Sequence, residues 1–247
     1  MTPPPDEEEE LEECRVLEAE ARRILENEGC PHCYPPDLAI PLKTPPETYQ
    51  TIIHYWQSDS STDGVVLCAE LKDWRQFRGA QRRDRARYRN KPFKNLVDEV
   101  CERRRRHGLD GDVHLLFDLE RQEPLGNWLE YQNYSLKRLE RFERDRDELK
   151  NKLAYLQKNS EDAATSIPEK AAWDLEAFRR LLNHAEWELD RHKILLHWIE
   201  QQRLLMMKKH PTSSRRRTPP KPLQQAPKGL KTRSGRTSKP PVRWAPY

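Results

Sequence analysis

Glycine is scarce in this chain: eight of 247 residues, none clustered into the Gly-rich loop that cradles phosphates. Cysteine is scarcer still. Five are present, an odd number and widely scattered, which argues against a disulfide framework. No stretch approaches about 18 uninterrupted apolar residues, so no membrane span is expected. Apolar side chains are in short supply: 35% of residues are hydrophobic and 35% charged, with a mean hydropathy of −1.07. An ordinary globular domain is about 45–50% apolar and about 25% charged. A core in proportion to the length is therefore excluded, and elongated helices with thin seams and disordered ends fit better. Seven tryptophans oppose disorder throughout. No nucleophile–base arrangement stands out. His114, His184, His192 and His197 form no metal set, so the chain reads as non-enzymatic and without a cofactor.

What is present is segregated charge. Residues 1–30 carry eleven acids and three bases, whereas residues 71–106 carry fourteen bases and five acids. Lys208 to Tyr247 hold twelve Lys or Arg and no acid. An acidic head, a basic middle and a basic tail point to nucleic-acid contact or charge-guided self-association. The opening, Met1-Thr2-Pro3-Pro4-Pro5-Asp6 followed by four Glu, is the reverse of a secretory signal. A cytosolic or nuclear chain is expected, and the basic clusters favour the nucleus.

Apolar spacing predicts helices and no clear strand. Residues 6–28 form a short helix stopped by Gly29 and Pro31. Residues 31–46, with six prolines, form an extended connector. Thr48–Gln57 is a short apolar helix, and Ser61 or Asp63 is placed to cap the next one. Residues 65–89 follow, with Leu67, Leu71, Trp74 and Phe77 on one face. That face fades after Arg78. Residues 92–106 bury Phe93, Leu96, Val97, Val100 and Cys101, and end in four arginines before Gly108. Leu109–Leu119 reads as a turn or short helix. Two long helices complete the pattern. The first spans Glu123–Lys158, with Leu125, Leu129, Gln132, Leu136, Leu139, Phe142, Arg146, Leu149, Leu153 and Leu156 on its seam. The second runs from about Pro168, tolerated in a first turn, to Lys209. Its seam is Leu175, Phe178, Leu182, Ala185, Leu189, His192, Leu196, Ile199, Arg203 and Met206, a regular alternation of threes and fours. A short break between two such helices implies an antiparallel hairpin.

The expected fold is thus all-α: a long, coiled-coil-like helical hairpin with a small N-terminal helical subdomain and disordered, charged termini. The segments are an acidic helix and Pro-rich connector (1–47), a basic helical subdomain (48–107), a connector (108–122), the hairpin (123–209) and a disordered basic tail (210–247). The association seam is Leu175, Phe178, Leu182, Leu189, Leu196 and Ile199, closing either within one chain or between two.

Candidate chemistry lies in three places. Arg82, Arg83, Arg85, Arg87 and Arg89, with Tyr88, place cations around most of a helix's girth against the single acid Asp84. Phosphate neutralisation and counterion release would explain that imbalance. The alternative is a solvated surface that pairs with the acidic N-terminus. In the tail, Arg215, Arg216 and Arg217 form a basic cluster of nuclear-localisation type, as Arg103–Arg106 do. Thr218-Pro219 beside the tail cluster is a proline-directed phosphosite pattern. Arg233, Arg236 and Lys239 lie in a basic Gly-Arg segment that resembles minor-groove tails, but lacks their Gly-Arg-Pro core. Third, Cys30-Pro31-His32-Cys33 has the spacing of a zinc or redox pair, with an incidental linker motif as the bland reading.

Several stretches together resemble an uncharacterised multi-copy coiled-coil family of filamentous fungi. They are Asp73-Trp74-Arg75-Gln76-Phe77-Arg78, Val97-Asp98-Glu99-Val100, Glu102 to His107, Trp128-Leu129-Glu130-Tyr131-Gln132, Leu139 to Glu143 and Leu196 to Arg203. The resemblance covers roughly half of the chain, from about Leu71 to Gln202. It implies no activity or site residues, and its copy number suggests a mobile-element origin. The residues themselves favour nonspecific nucleic-acid binding through the basic helix and tail. A coiled-coil adaptor for a protein partner, with an acidic surface meeting the basic segments, is the first alternative. A zinc-dependent interaction module at Cys30 and Cys33 is the second.

Overall fold

The computed structural model describes residues 7–36, 38, 45–58, 65–162 and 169–209. Every regular element among them is an α-helix: α1 (Glu7–Asn27), α2 (Glu47–Gln57), α3 (Val66–Arg87), α4 (Lys94–Arg106), α5 (Pro124–Asp162) and α6 (Glu169–Lys209). Residues 109–123 form turns and irregular chain with no helix.

Helix ends follow local chemistry. Gly29 takes φ +71°, and the amide of Cys30 reaches back to the carbonyl of Leu25 at 2.9 Å, closing α1 in a left-handed cap. Gly108, at φ +68°, ends α4 in the same way, with Leu109 N–H on the Arg104 carbonyl at 2.9 Å. The start of α3 is different. Its own N-cap, Val65, offers no side-chain acceptor. Glu18 of α1 takes that place, accepting the Leu67 amide at 2.9 and 3.0 Å and the Tyr34 hydroxyl at 2.7 Å. A carboxylate at a helix N-terminus satisfies an orphan donor and complements the dipole. Ser61 and Asp63, the caps expected from sequence, lie outside the described residues.

Helices α5 and α6 run antiparallel. Trp128 Nε1 donates to the Ile199 carbonyl at 2.9 Å, the His192 ring nitrogen sits 2.8 Å from the Ser135 carbonyl, and Lys150 pairs with Glu186 at 2.9 Å. Partner numbers fall in one helix as they rise in the other. Leu189 and Ile199 of the expected seam are buried, while Leu175, Phe178, Leu182 and Leu196 are half-buried. Around Leu189 to Ile199 the seam faces α5 of the same chain.

The core gathers where this hairpin meets α1, α2 and α3. Trp74, Phe77, Trp128, Tyr131 and Trp198 pack ring to ring, with Trp74–Tyr131 at 5.3 Å and Trp128–Trp198 at 5.5 Å. A smaller cluster joins Tyr88, Leu96, Val100, Leu115 and Leu129 under α4. The described part of residues 7–36 packs into this core. Ala21, Leu25, Cys30, Cys33 and Tyr34 belong to the main core, and all six helices fall in one packed unit. Helix α1 covers α3, with Glu18 on the Leu67 amide. The tail from residue 210 lies outside the described residues.

Candidate nucleic-acid interface

Helix α3 carries the arginine run, and helical period sorts it into two sets. Arg82, Arg83, Arg87 and Arg89 are exposed. Arg85 and Tyr88 are buried, so two of the predicted nucleic-acid contacts do not face solvent. Arg85 forms a two-pronged pair with Glu130 at 2.6 and 2.8 Å, both side chains being 7% exposed. Its Nε donates to the Leu116 and Phe117 carbonyls, each at 3.1 Å. Gln81 Nε2 adds bonds to Glu130 at 2.6 Å and Asn127 at 3.0 Å. The Tyr88 hydroxyl is bound by Glu99. The buried face of α3 therefore does not end at Arg78. It continues through Gln81, Arg85 and Tyr88 at helical spacing, with polar side chains whose partners lie on α5 and the 109–123 segment for Gln81 and Arg85, and on α4 for Tyr88. Spacing marks these positions in the sequence, but their chemistry looks like surface.

The second arginine cluster is also mostly engaged. Arg103 bonds Glu140 at 3.1 Å and Asn133 at 2.8 Å, Arg106 pairs with Glu140 at 3.1 Å, and Arg104 is 1% exposed. Arg103 and Arg106 thus meet α5, Arg104 donates to the Asp110 carbonyl at 3.2 Å, and exposed Arg105 pairs with Glu102 on its own helix. Arg215, Arg216, Arg217, Arg233, Arg236 and Lys239 lie outside the described residues.

Between α3 and α5 runs a groove of about 310 Å³. Phe77, Ala80 and Tyr134 line it, with Arg83, Lys137, Arg138, Arg141 and Arg144 against Asp84 and Glu130. Both acids are occupied: Lys137 holds Asp84 at 3.2 Å, and Arg85 holds Glu130. Arg138 is occupied too, by Asp73 at 2.5 Å. Arg83, Arg141 and Arg144 are exposed and form no ion pair among the described residues. Three uncompensated guanidiniums thus converge on one groove. Sequence reading passed over Arg141 and Arg144 because neighbouring acids made that stretch of α5 look balanced.

The Cys-X-X-Cys pair has a different setting. Cys30 and Cys33 are 4% and 1% exposed, and burial followed by the nearby Glu70 pushes both thiols well above their ordinary range. A thiol that stays protonated is a weak nucleophile. Among the described residues, no group of three or more His, Cys, Asp or Glu is gathered for a metal. The loop instead docks on α3, where the Cys33 amide donates to Glu70 at 3.1 Å. Burial raises the Glu70 carboxyl to about 8, with Cys33 bonding and Arg22 pulling it down and Glu18 pushing it up.

The folded pKa of Glu70 exceeds its unfolded value of 4.5, so the unfolded chain binds fewer protons between those values. Stability falls as pH rises from about 4.5 to about 8, by roughly 4–5 kcal/mol from this group. Urea midpoints of the parent chain and Glu70→Gln should diverge across that window, the variant gaining in relative stability as pH rises. A pH-independent difference would place the Glu70 proton elsewhere.

No protein-family model matches the chain, and no curated protein or solved structure matches it either. The functional reading rests on the geometry.

Proposed function

We propose that this chain is a nucleic-acid-binding protein without catalytic activity, which holds phosphate backbones nonspecifically on the α3–α5 face. The observation that carries the reading is the groove with Arg83, Arg141 and Arg144 and no free acid among its lining residues. Solvated protein surfaces ordinarily mix charges of both signs, and phosphate neutralisation supplies a reason for the imbalance. Arg82, Arg87 and Arg89 extend the positive face, although Arg87 also lies 3.6 Å from both Asp84 and Glu99. The tail residues Arg215, Arg216, Arg217, Arg233, Arg236 and Lys239 would add contacts, and a nuclear location fits the same reading.

Titration of labelled duplex DNA between about 50 and 200 mM salt tests this. Six or more phosphate contacts should cost roughly a thousandfold in affinity over that range. Replacing Arg83, Arg141 and Arg144 together by Gln should flatten the log–log salt slope by about 2.7. An unchanged slope would remove the groove from the interface.

One observation favours a second reading, as a helical adaptor. Trp173 and Trp187 on α6 are 70% and 48% exposed, and Tyr155 on α5 is 67% exposed. Apolar side chains of that size in solvent fit a protein-binding face. Binding at such a face would persist at high salt, where phosphate contacts fail.

A further inference from the structure

A second cleft, of about 440 Å³, opens on the other flank of α3, lined by Arg82, Arg85, Ala86, Arg89, Phe117, Asp118, Leu119 and Glu120. Two features set it apart from the groove, and a third is shared with it. First, it contains an exposed aromatic ring. Phe117 is 46% exposed, and its neighbour Leu116 is 45% exposed. Second, that ring is held in place. The edge-on contact of Phe117 with Phe93 is 5.6 Å between centroids at 88°, and the Arg85 guanidinium covers Phe93 at 4.7 Å. The same Arg85 binds the Leu116 and Phe117 carbonyls, and is itself clamped by buried Glu130. An ion pair in the protein interior therefore fixes an aromatic ring at the surface. Third, Arg82 and Arg89 at this cleft are exposed and form no ion pair among the described residues.

We propose that this cleft binds single-stranded nucleic acid, with one base stacked on Phe117 and the flanking phosphates on Arg82 and Arg89. Bases inside a duplex present no free face, so an isolated aromatic platform selects for unpaired strands. Its immobilisation matters, because a ring already ordered loses little entropy on binding. The cleft also holds acids. The Asp118 carboxylate accepts the Glu120 amide at 3.0 Å, which occupies it locally. Glu120 is exposed and lies where it can accept from an exocyclic amine, as carboxylates do with cytosine. Arg82 and Arg83 are adjacent in sequence but line different depressions, so a strand that crosses α3 meets both.

This inference rests on the proposed function, and the test separates the two. The full chain is titrated with a labelled oligothymidylate, a matching oligouridylate and a duplex, each of about 12 residues. Phe117→Ala should weaken both single strands by about fivefold or more and leave the duplex within twofold, the stack being worth that much per base. Phe117→Trp should restore single-strand affinity. Phe117 is surface-exposed, and unchanged thermal melting would confirm that each variant is folded. Equal losses on all three ligands, or no loss on any, overturns the stacking site while the phosphate reading stands. Absence of binding by the unsubstituted chain overturns both.

Discussion

Glu130→Ala is expected to destabilise the protein by about 3–5 kcal/mol, among the largest effects of any single substitution. Arg85 would remain in the interior with its charge uncompensated, since its side chain is 7% exposed and Glu130 supplies its only carboxylate among the described residues. Gln81 and Gln122 would lose the same acceptor. Most of the cost disappears when both charges go together. Arg85→Met with Glu130→Leu should recover most of the loss, because a buried pair repays little more than its own desolvation. Urea unfolding of the two single variants and the double variant measures the coupling. If Glu130→Ala alone cost under about 1 kcal/mol, the pair would be reached by water and its role in holding Phe117 would fall with it.

Trp128→Ala is expected to cost a similar amount, about 3–5 kcal/mol, for an unrelated reason. Trp128 is fully buried and packs at once on Trp74, Tyr131 and Trp198. Its removal leaves a cavity where α3, α5 and α6 converge. It also strips the Ile199 carbonyl of its 2.9 Å donor. Trp128→Phe separates the two contributions: it keeps much of the packing but loses the bond, and should cost about 1–3 kcal/mol. Equal losses in Ala and Phe variants would mean that the hydrogen bond dominates and the cavity relaxes.

Charge excess alone proved an incomplete guide to the interface. Arg85 and Arg83 are two residues apart in one basic run, yet one is sealed inside and the other lines the groove. Arg141 and Arg144 sit among acids in sequence and are nonetheless uncompensated in space. A guanidinium is available for phosphate only when no carboxylate reaches it. Most of the deciding acids are far along the chain: Glu130 is 45 residues from Arg85, and Glu140 is 37 from Arg103.

The thiol motif shows the same limit. Cys30-Pro31-His32-Cys33 has spacing that fits zinc, redox chemistry or neither, and only its surroundings separate these readings. Burial, with Glu70 nearby, pushes both thiols well above their ordinary range, and the loop packs between α1 and α3.

The sequence by itself determined the helices. Their number and approximate limits among the described residues follow from apolar spacing, from Gly29 and Gly108, and from proline, all of which act within a few residues. Of the long seams, Leu129, Leu136, Leu139, Leu189 and Ile199 are buried, whereas Leu196 is half-buried and its neighbour Leu195 takes the core position. Tertiary structure alone decided that α1 joins the core, that Glu18 caps α3 across 49 residues, and which arginines remain free. The reason is one of range. Helix formation is written in contacts at three and four residues, whereas the fate of a charge is set by whichever opposite charge and how much water the folded chain leaves beside it.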